Sequence, residues 1–162
     1  MWTNPAEGAG VASWDVFADL NGSNQVQVRY LRGDGVDETD ARTSSGAAVV
    51  WYLPDHLGTI RDITNSTGSV VDHLDYDGFG NTSTTPTGGD RCLFTSREYD
   101  SESGLYYGRQ RYYNPSLGRW QSEDTAGLGV DSNPYRYVGN SPTNYIEPTG
   151  LDRKSTRLNS SH

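Results

Sequence analysis

Residues 97–124 read REYDSESGLYYGRQRYYNPSLGRWQSED, and the pattern of this stretch decides the fold class. Tyr106 and Tyr107 form one aromatic pair, Tyr112 and Tyr113 form a second, and Trp120 follows in the next run. Neighbouring side chains on a strand point to opposite faces, so each Tyr pair sets one ring on each side of a sheet. The runs GLYYGRQRYYN (104–114) and GRWQSED (118–124) therefore read as short strands joined by turns.

Upstream the same grammar repeats. VQVRYL (26–31) alternates and is rich in β-formers, AAVVWYL (47–53) is apolar throughout, and GTIRDIT (58–64) alternates with Ile60 and Ile63 out of strict phase. SVVDHLDYD (69–77) comes next. NGSN (21–24), RGDG (32–35), NSTG (65–68) and DGFGN (77–81) supply turn chemistry between the runs. Nothing between them has a helical period. The expectation is a mainly β chain built as a meandering antiparallel sheet, not βαβ units. TSTTPTGGD (82–90) reads as a loop, and residues 1–13 as a loop or frayed edge. NPYRYVGN (133–140) predicts a short helical turn capped by Asn133, with Pro134 at its first position and Gly139 as its stop. SPTNYIEPTGL (141–151) is expected to be extended, because two prolines forbid a long helix.

Composition bounds the function. Only 33% of the 162 residues are hydrophobic, which makes a conventional core thin. The 11 Tyr, 4 Trp and 3 Phe argue against disorder throughout and supply the missing apolar area. The net charge of -8, with no Arg/Lys cluster, excludes a nucleic-acid binder. No apolar run is long enough to span a bilayer, and no signal-peptide core is visible. Cys92 is the lone cysteine and reads as a small, semi-buried apolar residue. His56 and His73 are far apart and read as non-catalytic. No metal set, phosphate loop or nucleophile–base motif is present, so no cofactor is implied.

Three long segments carry a resemblance. WYLPDHLGTIRDITNSTGSVVDHLDYDGFGN (51–81) resembles the linking segment of RHS/YD-repeat proteins, where a DHLGS stretch precedes a YDxFG unit. Residues 97–124 resemble the hallmark of the RHS repeat-associated core domain, and NPYRYVGNSPTNYIEPTGL (133–151) resembles its closing stretch. The resemblance divides the chain into an upstream connecting or repeat-like region (1–48), the core domain (49–151) and a tail (152–162). It implies β-hairpin repeats that wind into a hollow shell, a core module that closes one end, and a variable, often toxic, segment inside. It implies a secreted or cell-surface setting, with bacterial competition among the roles. The implied partners are the missing upstream YD repeats and the downstream effector of the same chain. A carbohydrate-binding surface module, with Tyr rings stacking on glycans, is an alternative. A fragment holding one or two repeat units is expected to expose unpaired edges at Tyr30 or Trp51, to be weakly stable alone, and to associate.

The resemblance also implies chemistry. Several family members cut their own chain as aspartyl-protease-like enzymes, with two carboxylates sharing a proton. The matching positions are Asp124 and Glu147, with cleavage after Leu151; Asp131 is an alternative partner. Two positions depart from the family pattern: Glu147 stands where Asp is usual, and Thr125 where Pro is usual.

Residues 152–162, DRKSTRLNSSH, hold the only lysine and resemble the translation of a common short-read sequencing adapter. They are set aside from the fold reading. The reading frame is expected to continue past Leu151, and Met1, the only methionine, reads as a start chosen inside a longer frame.

Overall fold

Ten short strands form two antiparallel meanders in the computed structural model, which describes residues 15–84, 86–125 and 132–151. Asp131 and the adapter-like tail lie outside the described residues. The first sheet keeps chain order: β1 (Ala18–Leu20), β2 (Val26–Arg32), β3 (Thr39–Ser44), β4 (Val50–Pro54), β5 (Ile60–Asn65) and β6 (Val70–His73). The second does the same with β7 (Glu98–Asp100), β8 (Leu105–Gly108), β9 (Arg111–Asn114) and β10 (Arg119–Trp120). The expected mainly β meander is what forms.

The second sheet has a simple construction. Tyr99 lies opposite Tyr106, Tyr106 opposite Tyr113, and Tyr113 opposite Trp120. Directly paired residues share a face, so an aromatic every seven residues becomes one row across all four strands. Ring centroids along the row are 4.9, 6.4 and 5.8 Å apart. Tyr107 and Tyr112 form the pair on the opposite face, and Tyr112 is exposed. Tyr106, Tyr113 and Trp120 join Tyr52, Ile60, Ile63, Leu74, Leu93, Phe94, Tyr137 and Val138 in the core cluster. Tyrosine serves here because its hydroxyl can still bond. Tyr106 donates to the Gly80 carbonyl (3.0 Å) and Tyr113 to the Phe79 carbonyl (2.8 Å) in the DGFGN turn.

A bulge explains the phase slip in β5. Leu53 pairs with Asp62 but the next residue, Pro54, pairs with Ile60, so Arg61 is the extra residue. Ile60 and Ile63 are then both fully buried despite their three-residue spacing. Tyr52 reaches Asp90 through its hydroxyl (2.5 Å), and Arg42 grips the same carboxylate, which ties the loop before Cys92 to the first sheet. Cys92, read as semi-buried, is fully buried.

Four expectations need correction. β3 was not anticipated: TDARTS is polar, and its pairing with β2 and β4 recruits it. Tyr30 and Trp51 do not lie on edges, because β2 and β4 each have neighbours on both sides; the edges of this sheet are β1 and β6. The helical turn is confined to a single 3-10 turn at Val138–Asn140. The Pro134 and Tyr135 carbonyls accept from the Asp124 and Trp120 amides instead of continuing a helix (3.1 and 2.9 Å). Residues 141–145 turn where an extended strand was expected, with the Asn144 and Tyr145 amides both donating to the Ser141 carbonyl.

Candidate functional site

The segment Glu147–Leu151 is held against the second sheet by three arginines. Arg111, from β9, donates to the Gly150 carbonyl through Nε (2.5 Å) and to the Pro134 carbonyl through Nη1 (3.1 Å). Its Nη2 lies 3.3 Å from Asp124 Oδ2. Arg97 donates to the Glu147 carbonyl (3.3 Å) and the Pro148 carbonyl, and Arg109 donates to the same Pro148 carbonyl. Bonds to backbone carbonyls fix the path of this segment whatever its side chains.

Both Pro148-gripping arginines converge on Asp37, in the turn between β2 and β3. Asp37 Oδ2 is 2.9 Å from Arg97 Nη2, and Asp37 Oδ1 is 2.5 Å from Arg109 Nη2. Asp15 adds a second carboxylate 3.1 Å from Arg109. Burial pushes the Asp37 carboxyl above its ordinary value, and the two guanidiniums oppose this. Burial likewise lowers Arg97, opposed by Asp37.

Gly150 completes the fit. A Cβ there would lie 2.2 Å from the Gly108 carbonyl oxygen, and its φ of +70° is one that side chains resist. The backbone of the PTGL stretch can thus lie directly on the β8–β9 turn.

The two carboxylates expected from the sequence are both buried at this place. Asp124 lies just past β10, and its amide donates to Pro134 (3.1 Å). Through Arg111 its carboxylate is one guanidinium away from the Gly150 carbonyl. Glu147 Oε1 accepts from the Thr149 amide (3.1 Å) and the Thr149 hydroxyl (2.6 Å). The Thr149 hydroxyl in turn lies 3.2 Å from both the Leu151 carbonyl oxygen and the Leu151 amide. Glu147 also borders a cavity of about 570 Å³ shared with Val36, His56, Leu57, Arg97 and Ile146. His73 is remote from this site and pairs with Asp62 (2.6 Å), which raises its pKa. Among the described residues no cluster suits a metal ion, and no helix is long and apolar enough to cross a membrane.

Sequence reading missed Arg97, Arg109 and Asp37. The two arginines stand in the quoted motif, yet nothing in the pattern says that they meet a carboxylate some sixty to seventy residues upstream.

No family model matches the chain. It is 38% identical over 106 residues to the toxin protein Tse5 of Pseudomonas aeruginosa, covering 65% of this chain and 8% of Tse5. It is 32% identical over 146 residues to the tRNA nuclease WapA of Bacillus subtilis, covering 85% of this chain and 6% of WapA. Its fold matches the solved TcdB2–TccC3–Cdc42 structure with a TM-score of 0.67 at 23% identity, over 81% of this chain and 7% of that one. These likenesses support an RHS-associated, toxin-related region. The chain spans less than a tenth of the length of these proteins.

Proposed function

We propose that residues 49–151 form the structural shell-and-plug module of an RHS-type polymorphic toxin or cell-surface protein, secreted or exposed at the cell surface. In this reading the module encloses and presents a variable C-terminal effector. One observation carries it: the matched segment is common to a toxin and a tRNA nuclease, while its own contacts are architectural. Two meanders bury an aromatic row, and three arginines fix the backbone of residues 147–150. Such contacts suit a part that holds a chain end in place and leaves the activity to a downstream effector. Long-read sequencing across the source locus tests this. Tandem hairpin repeats upstream and unrelated sequence in frame after Leu151 are expected. A frame that runs from Met1 to His162 and stops would overturn it, because no shell or cargo would exist.

A second reading is that the same module cuts its own chain after Leu151. The geometry favours it in one respect: Glu147, Asp124 and Leu151 are linked through Thr149, Arg111 and the immobilised Gly150 backbone. In this reading Asp124 activates water and Glu147 is the acid partner. Mass measurement of the module incubated with its natural downstream extension in place of residues 152–162 tests it. Loss of the segment after Leu151, abolished by Asp124→Asn, is expected; a parent chain that stays intact refutes it.

A further inference from the structure

We propose that the Thr149 hydroxyl relays a proton from the Glu147 carboxyl to the carbonyl oxygen of Leu151. This rests on the self-cleavage reading and adds a reacting group to it. The Thr149 oxygen is 2.6 Å from Glu147 Oε1 and 3.2 Å from the Leu151 oxygen. It also accepts from the Leu151 amide (3.2 Å), which holds the preceding Gly150–Leu151 peptide unit. A hydroxyl can accept from one partner while it donates to another, as a relay requires.

The backbone around this hydroxyl is fixed independently. Arg97 and Arg109 hold the residue before it through the Pro148 carbonyl, and Arg111 holds the residue after it through the Gly150 carbonyl. Thr149 therefore presents its hydroxyl from a clamped segment. Restrained geometry of this kind is what makes a short proton path effective. The arrangement also accounts for a glutamate at position 147. A carboxylate with one more methylene than aspartate meets a hydroxyl two residues along the chain, and that hydroxyl covers the remaining distance.

The chemistry balances. Water gives a proton to Asp124 as its oxygen bonds to the Leu151 carbonyl carbon. The carbonyl oxygen takes the Thr149 proton, and Thr149 takes the proton of Glu147. Collapse then breaks the peptide bond that follows Leu151. The carbonyl oxygen returns its proton through Thr149 to Glu147, and the amine of the downstream segment leaves with the proton held by Asp124. The products are a new carboxyl at Leu151 and a free amine on the downstream segment.

The test compares release of the segment after Leu151 from the parent, Thr149→Val and Thr149→Ser chains, each carrying the natural downstream extension, by mass spectrometry over time. Val keeps the branched shape and removes only the hydroxyl; Ser keeps the hydroxyl. Positioned proton transfer contributes about 10²–10⁴-fold, so Thr149→Val should cleave at least about 100-fold more slowly, with Thr149→Ser within about tenfold of the parent. Thr149 is exposed, so neither change threatens the core. If Thr149→Val cleaves at the parent rate, the relay is overturned and self-cleavage stands. Equal loss in both variants also overturns it, because the hydroxyl would not be what matters. A parent chain that never cleaves removes the self-cleavage reading and the relay with it.

Discussion

The guanidinium carbon of Arg111 lies 4.3 Å from the ring centre of Trp120, and the same guanidinium faces Asp124 and the Gly150 carbonyl. One planar cation thus stacks on the end of the aromatic row while its edge holds the closing segment of the chain. Both side chains are almost fully buried. Lysine cannot reproduce this, because it has neither a stacking plane nor a fork of donors. Arg111→Lys should lower stability by about 2–3 kcal/mol, and Arg111→Met by about 3–5 kcal/mol, since Met also takes away the cation that faces a buried carboxylate. Urea unfolding measures both. A change within about 0.5 kcal/mol for the lysine variant, the range of ordinary surface substitutions, would show that the stack and fork contribute little.

Asp37 makes a sharper prediction, because the obvious substitution leaves its turn intact. Asp37 has a φ of +62°, a region that Asn and Asp enter more readily than other side chains. Asp37→Asn therefore preserves the backbone and removes the charge shared by Arg97 and Arg109. Their side chains are only 10% and 12% exposed, so water cannot replace the lost anion easily. Breaking such a network should cost about 3 kcal/mol, with Asp15 retaining part of the compensation for Arg109. Amide hydrogen exchange at Thr149, Gly150 and Leu151 should also quicken more than in β8. Unchanged exchange there would mean that the clamp does not hold the closing segment.

The buried and half-buried tyrosines set a pH limit. Burial is the first cause that raises the hydroxyl pKa of Tyr30, Tyr52, Tyr76, Tyr106, Tyr113 and Tyr137. A raised folded value means that each contributes stability fully below the unfolded value of about 10, and that this is lost as pH rises above it. A steep rise in phenolate absorbance should coincide with loss of the far-ultraviolet β signal. Smooth ionisation of every tyrosine with the sheets intact would contradict the buried row.

How much was legible in the sequence depends on where each signal resides. The row Tyr99–Tyr106–Tyr113–Trp120 was readable as strands because the period-two pattern is local. Its seven-residue spacing becomes a single face only once the hairpin registers are known. Ile60 and Ile63 were visibly out of phase, and the bulge at Arg61 supplies the reason. β3 was invisible because Thr39–Ser44 has almost no apolar content and owes its conformation to two neighbouring strands. Asp124 and Glu147 were named from a resemblance, and both are buried beside the closing segment. The Asp37–Arg109 pair spans 72 residues, and no local pattern encodes a contact at that separation.

The outward face of the first sheet bears on how the chain behaves alone. Leu31, Ala41 and Trp51 are paired in register across β2, β3 and β4, and Thr64 and Val70 continue the row across β5 and β6. Leu31, Trp51 and Val70 on this row are 52%, 44% and 57% exposed, and Leu53 beside them is 48% exposed. Ala41 and Thr64 between them are buried, so the exposed apolar surface is these four large side chains; such groups on a sheet face are a site for contact with other protein surface. At concentrations where the parent chain associates, the double change Trp51→Glu and Leu53→Lys should weaken association by about tenfold or more, because it removes two of these four apolar side chains. Both side chains point outward, so the melting transition should move little. Sedimentation velocity over a concentration series reads the first quantity, and thermal unfolding the second. Association unchanged in the double variant would place the contact on the open edges β1 and β6, where Lys substitutions at Leu20 and Val71 should then disrupt it.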